Sequence, residues 1–285
     1  MRSISIFILC SASIILRSQV ALDSTQLPIV FINTNFQPIP DEPKITAGMA
    51  ILDNGYNVYN HVTDTNFVYY GNIGIEQRGS ISQQWWWWQK SYLIETRDAL
   101  GEDSTAVILG MPEESDWVLY GPFSEATLMH NALTYELVRD MGYWAPRTRY
   151  CEMMLKTGLW WSYNGVYSMM ENIKRDDERV DIAKLDLNDN AGDSLTGGYI
   201  IAVDQNINTP DSGWYSANSL NENVFFTYKY PKGDVITAPQ MTYIQSFVDS
   251  FETALSSENF SDPETGFRKY IDEASFMDFF FIQEL

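Results

Sequence analysis

The sequence predicts a mixed α+β fold, because strand-like segments, a helix, further strands and further helices follow one another along the chain. The chain has 285 residues, of which 45% are hydrophobic and 14% aromatic. That composition can fill a sizeable core, in one large domain or two modest ones. We expect an antiparallel sheet in the N-terminal part and mainly helices in the C-terminal part.

The N-terminal part carries the strand signals. Residues 27–33 (LPIVFIN) are typical of a buried strand, and residues 45–77 contain short apolar runs broken by Asp, Asn and Gly, as antiparallel strands do. Asn54 and Gly55 predict a hairpin turn between two of these runs. Residues 90–95 (KSYLIE) predict the next strand.

The first helix is predicted from Ser124 to about Met141. Ser124 is a good N-cap, and Gly142 is a good stop signal. Leu133, Leu137 and Met141 recur every four residues, so they are expected to face the core.

Further strands and two more helices complete the prediction. The strands are expected at residues 150–155, 165–170, 199–204 and 224–230. A helix opens at Pro239, which favours a first helical position. Its apolar stripe comprises Met241, Ile244, Phe247, Val248, Phe251 and Leu255. The last helix is predicted from Asp262 through Ile282, and because the sequence stops in this apolar segment at Leu285 we expect it to be a fragment.

The N-terminus is typical of a secretion signal. Met1 and Arg2 precede an apolar stretch over residues 3–16, which is too short to span a bilayer. Residues 1–21 are therefore predicted to be a signal peptide cleaved near Ala21, which makes the protein secreted or exposed at the cell surface. The alternative is a buried N-terminal strand. No later stretch is apolar and long enough to predict a membrane span.

Charge and rare residues exclude several functions. The formal net charge is −20, which repels nucleic acid and anionic membranes. After signal cleavage Cys151 is the only cysteine, and the histidines are His61 and His130. A single cysteine cannot form an internal disulfide. One cysteine and two histidines are also too few ligands for a His/Cys metal centre. A Cys–His nucleophilic pair stays open, although the apolar neighbours of Cys151 favour an inert buried thiol.

Several segments together resemble the CotH kinase family, known from spore-coat proteins. They are residues 74–82 (GIEQRGSIS), 90–92 (KSY), 109–119 (LGMPEESDWVL), 131–142 (NALTYELVRDMG), 145–149 (APRTR), 165–185 (GVYSMMENIKRDDERVDIAKL) and 195–204 (LTGGYIIAVD). Each motif is weak alone, but their order and spacing are fairly specific. The resemblance implies one domain over residues 22–285, with an atypical protein-kinase-like fold. It also implies ATP and Mg or Mn as cofactors, and a secreted or surface protein as substrate.

The resemblance assigns a nucleotide site. The loop residues implied to contact the phosphates are Arg78, Gly79, Ser80 and Ser82. Gly79 would let the backbone approach the phosphates, and hydroxyl and N–H groups would donate hydrogen bonds to them. Lys90, on the following strand, would be the phosphate-binding lysine. The alternative is an ordinary exposed strand lysine.

Two further parts of the site follow from the same resemblance. Glu136 would be the partner of Lys90, unless it is simply a solvated helix residue. Met170, Glu171 and Ile173 would line the position of the adenine base, with apolar side chains and backbone hydrogen bonds. Core packing is the alternative for Met170.

The chain departs from the family pattern in two places. Four tryptophans, Trp85 to Trp88, stand before Lys90; they are either a stacking surface or a local packing feature. The family's catalytic aspartate and metal-binding aspartate are expected beyond Leu285, so no catalytic or metal residue is predicted here. We therefore predict a secreted phosphotransferase that is inactive or incomplete over these residues. The alternatives are a non-catalytic cell-surface or coat module with a pseudokinase-like fold and, with less support, a glycosidase.

Overall fold

The computed structural model describes residues 21–79, 89–204, 213–217 and 224–284. The strands are β1 (Ser24–Thr25), β2 (Ile29–Asn33), β3 (Ile45–Leu52), β4 (Asn60–His61), β5 (Phe67–Arg78), β6 (Ser91–Arg97), β7 (Asp116–Tyr120), β8 (Thr148–Lys156), β9 (Ser162–Glu171), β10 (Ile200–Asp204), β11 (Gly213–Tyr215) and β12 (Phe225–Tyr230). The helices are α1 (His130–Asp140), α2 (Ala238–Leu255) and α3 (Glu273–Gln283). This mixture confirms the predicted α+β class.

Seven strands form a closed barrel in the order β2-β3-β5-β6-β7-β9-β8. The pairs β2–β3, β3–β5 and β5–β6 are antiparallel, as predicted. However, β2 pairs in parallel with β8, so the expected antiparallel sheet is instead a closed barrel that includes a parallel pair. Closure leaves no unpaired edge strand. A barrel of this kind is not specific to a kinase-like fold, which stays a prediction.

The predicted hairpin turn at Asn54 and Gly55 is wrong. β3 ends at Leu52 and β5 begins at Phe67, so residues 53–66 form a longer connection that includes β4. The Asn54 side chain organises this connection instead: its amide donates to the Tyr59 carbonyl (3.1 Å) and to Asp64 (3.0 Å).

The chain divides into two compact units. Among the described residues, the first comprises residues 21–79, 89–109, 119–123 and 150–168, and the second residues 110–118, 124–149, 169–204, 213–217 and 224–284. In the first unit, β6 alternates from Tyr92 onward: Tyr92, Ile94 and Thr96 are buried, whereas the side chains between them are half-buried. This alternation places one face of the strand in the core. Cys151 is also fully buried, as the inert-thiol interpretation predicts.

The second unit contains a small sheet in the order β10-β12-β11. The strands predicted near residues 199–204 and 224–230 are β10 and β12, which pair with each other. Helix α2 packs on this unit through Ile244, which clusters with Tyr228 and Ile236. The helix begins as its sequence predicts, with Pro239 in the first turn and a capping box between Thr237 and Gln240.

Helices α1 and α3 begin later than predicted. Ser124 does not cap α1; the Glu125 carboxylate accepts from the backbone N–H groups of Met129 (2.7 Å) and His130 (2.9 Å) and occupies that role. The predicted core face of α1 is also wrong, because Leu133 is 55% exposed. The spacing of apolar residues identifies an apolar stripe on a helix, but it does not show which part of the protein packs against that stripe.

Helix α3 starts at Glu273, with Asp272 as its N-cap. The predicted start at Asp262 is instead a turn, in which the Asp262 carboxylate accepts from the N–H groups of Glu264 (2.9 Å) and Thr265 (2.8 Å). None of the helices among the described residues is long and apolar enough to cross a membrane.

Candidate functional site

Lys90 lies directly before β6, in a segment that neighbouring residues hold on both sides. The Gln89 amide donates to the Val166 carbonyl (2.5 Å), and the Ser91 hydroxyl accepts from the Gly121 N–H (3.1 Å). A Cβ at Gly121 would lie 3.0 Å from the carbonyl oxygens of Gln89 and Lys90, so a larger residue would require this backbone to shift. The backbone of Lys90 is therefore fixed by its neighbours.

Arg78 and Gly79 lie at the same end of the β5–β6 pair as Lys90. The register pairs Arg78 with Ser91, the residue after Lys90. Gly79 has a φ of 81°, a left-handed conformation that favours glycine. The structure thus brings together three of the predicted phosphate-site positions. The predicted contacts of Ser80 and Ser82, and the tryptophans at 85–88, lie outside the described residues.

The environment of Lys90 is partly shielded from water. Burial lowers the pKa of its ammonium group below the ordinary value of 10.5. A half-buried cation is a stronger partner for an anion than a fully hydrated one, because less water screens the interaction. Lys90 is thus a partly buried cation beside Gly79, where the family resemblance predicts the phosphate site.

The residues predicted to line the adenine position have different environments. Met170 is 4% exposed, whereas Ile173 is 54% exposed. The Glu171 side chain is fully buried and contacts Arg147 through both oxygens: Oε2 accepts from the Arg147 backbone N–H (2.8 Å) and Oε1 from its Nη1 (3.2 Å). The Glu171 carboxylate is committed to this pair, and the Glu171 backbone N–H in turn donates to the Arg147 carbonyl (3.3 Å).

A second cluster of charges follows β9. The Lys174 ammonium contacts Glu114 (3.1 Å) and Asp116 (2.6 Å). Burial lowers the pKa of Lys174, but the hydrogen bonds and charges of these two carboxylates outweigh burial, and its pKa is raised. For Glu114, burial raises the pKa, but the Ser115 N–H and Lys174 outweigh it, so its pKa lies below the ordinary value.

Arg179 completes this cluster. It is only 3% exposed, donates to the carbonyls of Asn172 (2.8 Å) and Asp116 (2.9 Å), and lies 5.3 Å from the centroid of the Trp117 ring. The charged sequence around Arg179 (KRDDER, residues 174–179) does not indicate that its side chain is buried. No local signal marks it, because its partners near Asp116 are about sixty positions away in the chain. The cluster joins two of the segments that resemble the kinase family.

Glu136 lies on α1 and forms an ion pair with Arg139, one turn further along. Its side chain is 60% exposed. The structure therefore gives Glu136 a surface partner on its own helix, and its pairing with Lys90 stays a prediction.

A comparison with protein families matches one model, described as CotH kinase protein, over residues 75–285. The match includes Arg78, Gly79, Lys90 and the charged cluster around Lys174. No curated protein matches the chain.

Proposed function

Because the chain belongs to the CotH kinase family, we propose that it is a phosphotransferase that transfers the γ-phosphate of ATP to a secreted or surface protein. In this proposal, the end of the β5–β6 pair that carries Lys90 binds the phosphates, as the corresponding site of a kinase does. The observation that supports this phosphate site is the position of Lys90 at that end, beside Gly79 and its left-handed backbone conformation.

The chemistry of phosphoryl transfer explains why a lysine belongs at this position. Catalysis of this reaction depends on positioning the phosphates and neutralising their charge. Lys90 would supply one fixed positive charge, and Arg78 a second one nearby. The Gly79 turn would let backbone N–H groups approach the phosphate oxygens, as they do in other phosphate-binding loops.

A divalent cation, Mg or Mn, would bridge the phosphates when bound and neutralise more of their charge. Among the described residues there is no group of three or more His, Cys, Asp or Glu side chains placed to hold a metal. Mg²⁺ commonly uses only one or two carboxylates together with phosphate oxygens. We therefore assign the metal to no residue of this chain.

Residues 171–173 would contact the adenine base in the proposed enzyme. The buried Glu171–Arg147 pair holds the end of β9, and the exposed Ile173 side chain offers apolar surface. The proposed role of Glu171 is therefore to position the backbone, with no direct contact from its carboxylate.

Export is part of the proposal, since the predicted substrates lie outside the cell. It is supported by the positive and apolar pattern of residues 1–16. N-terminal sequencing of exported protein is expected to find a start near Ala21. Retention of Phe7 in that material would contradict the cleavage.

The activity test uses protein expressed from the complete gene, incubated with γ-labelled ATP, Mg²⁺ or Mn²⁺ and a mixture of secreted proteins. We expect labelled protein with the wild type and a loss of most of the label with Lys90→Ala. Lys232→Ala is the matched control, because Lys232 is an exposed lysine remote in sequence from the proposed loop. ATP binding without any transfer would contradict the proposal and favour the non-catalytic alternative.

A further inference from the structure

A groove in the first unit lies away from the β5–β6 end that carries Lys90. It has a volume of about 710 Å³ and lies over β2, β3 and β5. Small-molecule sites typically measure about 300–1,000 Å³. Most of its lining residues precede residue 75, where the family match begins. The family match therefore does not account for this groove.

Strand register builds a polar row across the groove. Asn33 pairs with Gly48, Gly48 with Asn72, and Asn72 with Arg97. These four residues belong to adjacent strands at one level of the barrel. Gly48 leaves the floor open, because a Cβ there would meet nothing within 4 Å.

An aromatic row lies two residues further along the same strand faces. Phe31 pairs with Ala50, and Ala50 with Tyr70. Side chains two positions apart on a strand share a face, so this row flanks the polar one. Trp161 and Phe67 extend it: their ring centroids lie 5.5 Å and 6.1 Å from Phe31. Tyr70 is 83% exposed and Trp161 42% exposed. The Lys156 ammonium lies over the Trp161 ring, 5.9 Å from its centroid, so Tyr70 offers the more open ring surface.

The groove also keeps unused hydrogen-bonding groups. Within the described part of the chain, the Asn33 amide hydrogens, the Asn72 side-chain oxygen and the hydroxyls of Thr63 and Thr65 have no hydrogen-bond partner. The remaining capacity of the two asparagines is engaged: Asn33 Oδ1 accepts from the Asn35 N–H (3.1 Å), and the Asn72 amide donates to the Asp98 carbonyl (3.3 Å). The side chains are thus oriented, with one end open to a ligand.

We propose that this groove binds a neutral saccharide, which is independent of the proposed kinase activity. A sugar ring has an apolar C–H face that can cover an aromatic ring, and hydroxyls that both donate and accept hydrogen bonds. The groove presents these two kinds of partner in adjacent rows.

Charge and topology disfavour other ligands. The net charge is −20 and Asp64 and Asp98 line the groove, so an anion would be repelled. Arg97 offers little compensation, because its Nε contacts Glu95 (2.8 Å). An extended peptide usually adds to a free sheet edge. Here β2, β3 and β5 each have a barrel neighbour on both sides.

The test is affinity electrophoresis of the protein in native gels that contain xylan, glucomannan, laminarin or hydroxyethylcellulose, followed by calorimetry with oligosaccharides of any polymer that retards it. Trp161→Ala is expected to weaken binding about tenfold or more, since it removes a stacking surface. Trp160→Ala is the matched control: it is 82% exposed, adjacent in sequence, and outside the groove lining. Gly48→Val fills the floor without removing a contact and is also expected to abolish binding.

The proposal is supported if at least one neutral polysaccharide retards the protein, Trp161→Ala and Gly48→Val release it, and Trp160→Ala does not. It is overturned if none of the four polymers retards the protein at the highest soluble concentration, or if Trp161→Ala and Gly48→Val bind as the wild type does. Polygalacturonate provides an anionic probe, and preferential binding to it would also overturn the proposal. Sedimentation that shows a dimer lost in Gly48→Val would instead identify the groove as a contact between two copies.

Discussion

At the scale of single residues, two ion pairs of similar chemistry differ in their access to water. Glu171 is fully buried against Arg147, whereas Glu136 is 60% exposed beside Arg139. Exposed pairs contribute little because water screens them, but removing one partner of a buried pair leaves a charge without compensation.

We predict that Glu171→Gln lowers the free energy of unfolding by about 3 kcal/mol. This is the lower end of the usual cost of breaking a buried pair, because Arg147 is 29% exposed and water can partly compensate it. Glu136→Gln is the matched control and should change stability by less than about 0.5 kcal/mol. Urea unfolding followed by tryptophan fluorescence measures both, and equal effects would contradict the structural role given to Glu171.

A second prediction concerns Glu95, whose carboxylate contacts Lys44 (3.1 Å) and Arg97 (2.8 Å). Burial raises its pKa, but hydrogen bonds with Arg97, Asp103 and Lys44 together outweigh burial and lower the pKa from 4.5 to about 2. A folded pKa below the unfolded one means that the stabilisation is fully present above pH 4.5. It is lost as the pH falls toward 2.

We therefore expect Glu95→Gln to be less stable than the wild type by roughly 1–3 kcal/mol at pH 7, with the difference shrinking between pH 4.5 and 2. Acid unfolding followed by circular dichroism measures this dependence. Glu102→Gln, at an exposed position of the same unit, should leave the profile unchanged. A difference that is constant with pH would show that the charge of Glu95 is not the cause.

Residue-scale features could be predicted from the sequence only where the signal is local. Gly79 and Lys90 belong to consecutive family-like segments of the sequence, and the structure places them at one end of the β5–β6 pair. The partners of Lys174 lie about sixty positions away, so nothing around Lys174 indicates that it contacts Glu114 and Asp116.

At the scale of elements, the first residue of a helix can likewise be predicted from the sequence only where the capping signal is local. Neighbouring residues mark the start of α2: Thr237 and Gln240 have the capping-box spacing, and Pro239 lies in the first turn. The start of α1 is not marked in this way, because Glu125 caps it from outside the helix and displaces the better N-cap candidate Ser124.

We predict that Thr237→Ala lowers stability by about 1 kcal/mol, the usual cost of losing an N-cap side chain. Thr237 accepts from the Gln240 N–H (3.5 Å) and donates to Asn190. Thr242→Ala is the control within the same helix: Thr242 is exposed and alanine favours helix, so stability should change by less than about 0.5 kcal/mol or rise. Thermal unfolding of both variants measures the difference. Equal shifts would mean that the capping box contributes nothing.

At the scale of the whole molecule, the α+β class could be predicted, but the closed barrel could not. Strand alternation shows which face of a strand is buried. It does not show that β2 pairs in parallel with β8, more than a hundred residues later in the chain. Long-range pairing depends on how all the strands pack together, and periodicity within one strand carries no information about its partner.

Equilibrium titration with ATP tests the central claim, that Lys90 holds the phosphates of a nucleotide, most directly. Calorimetry with and without Mg²⁺ is expected to show ATP binding to the wild type, weakened about 10- to 100-fold in Lys90→Ala, since a charge-assisted contact contributes about 1.5–3 kcal/mol. Lys232→Ala should bind ATP as the wild type does. An absence of ATP binding by the wild type, or unchanged affinity in Lys90→Ala, would contradict the account.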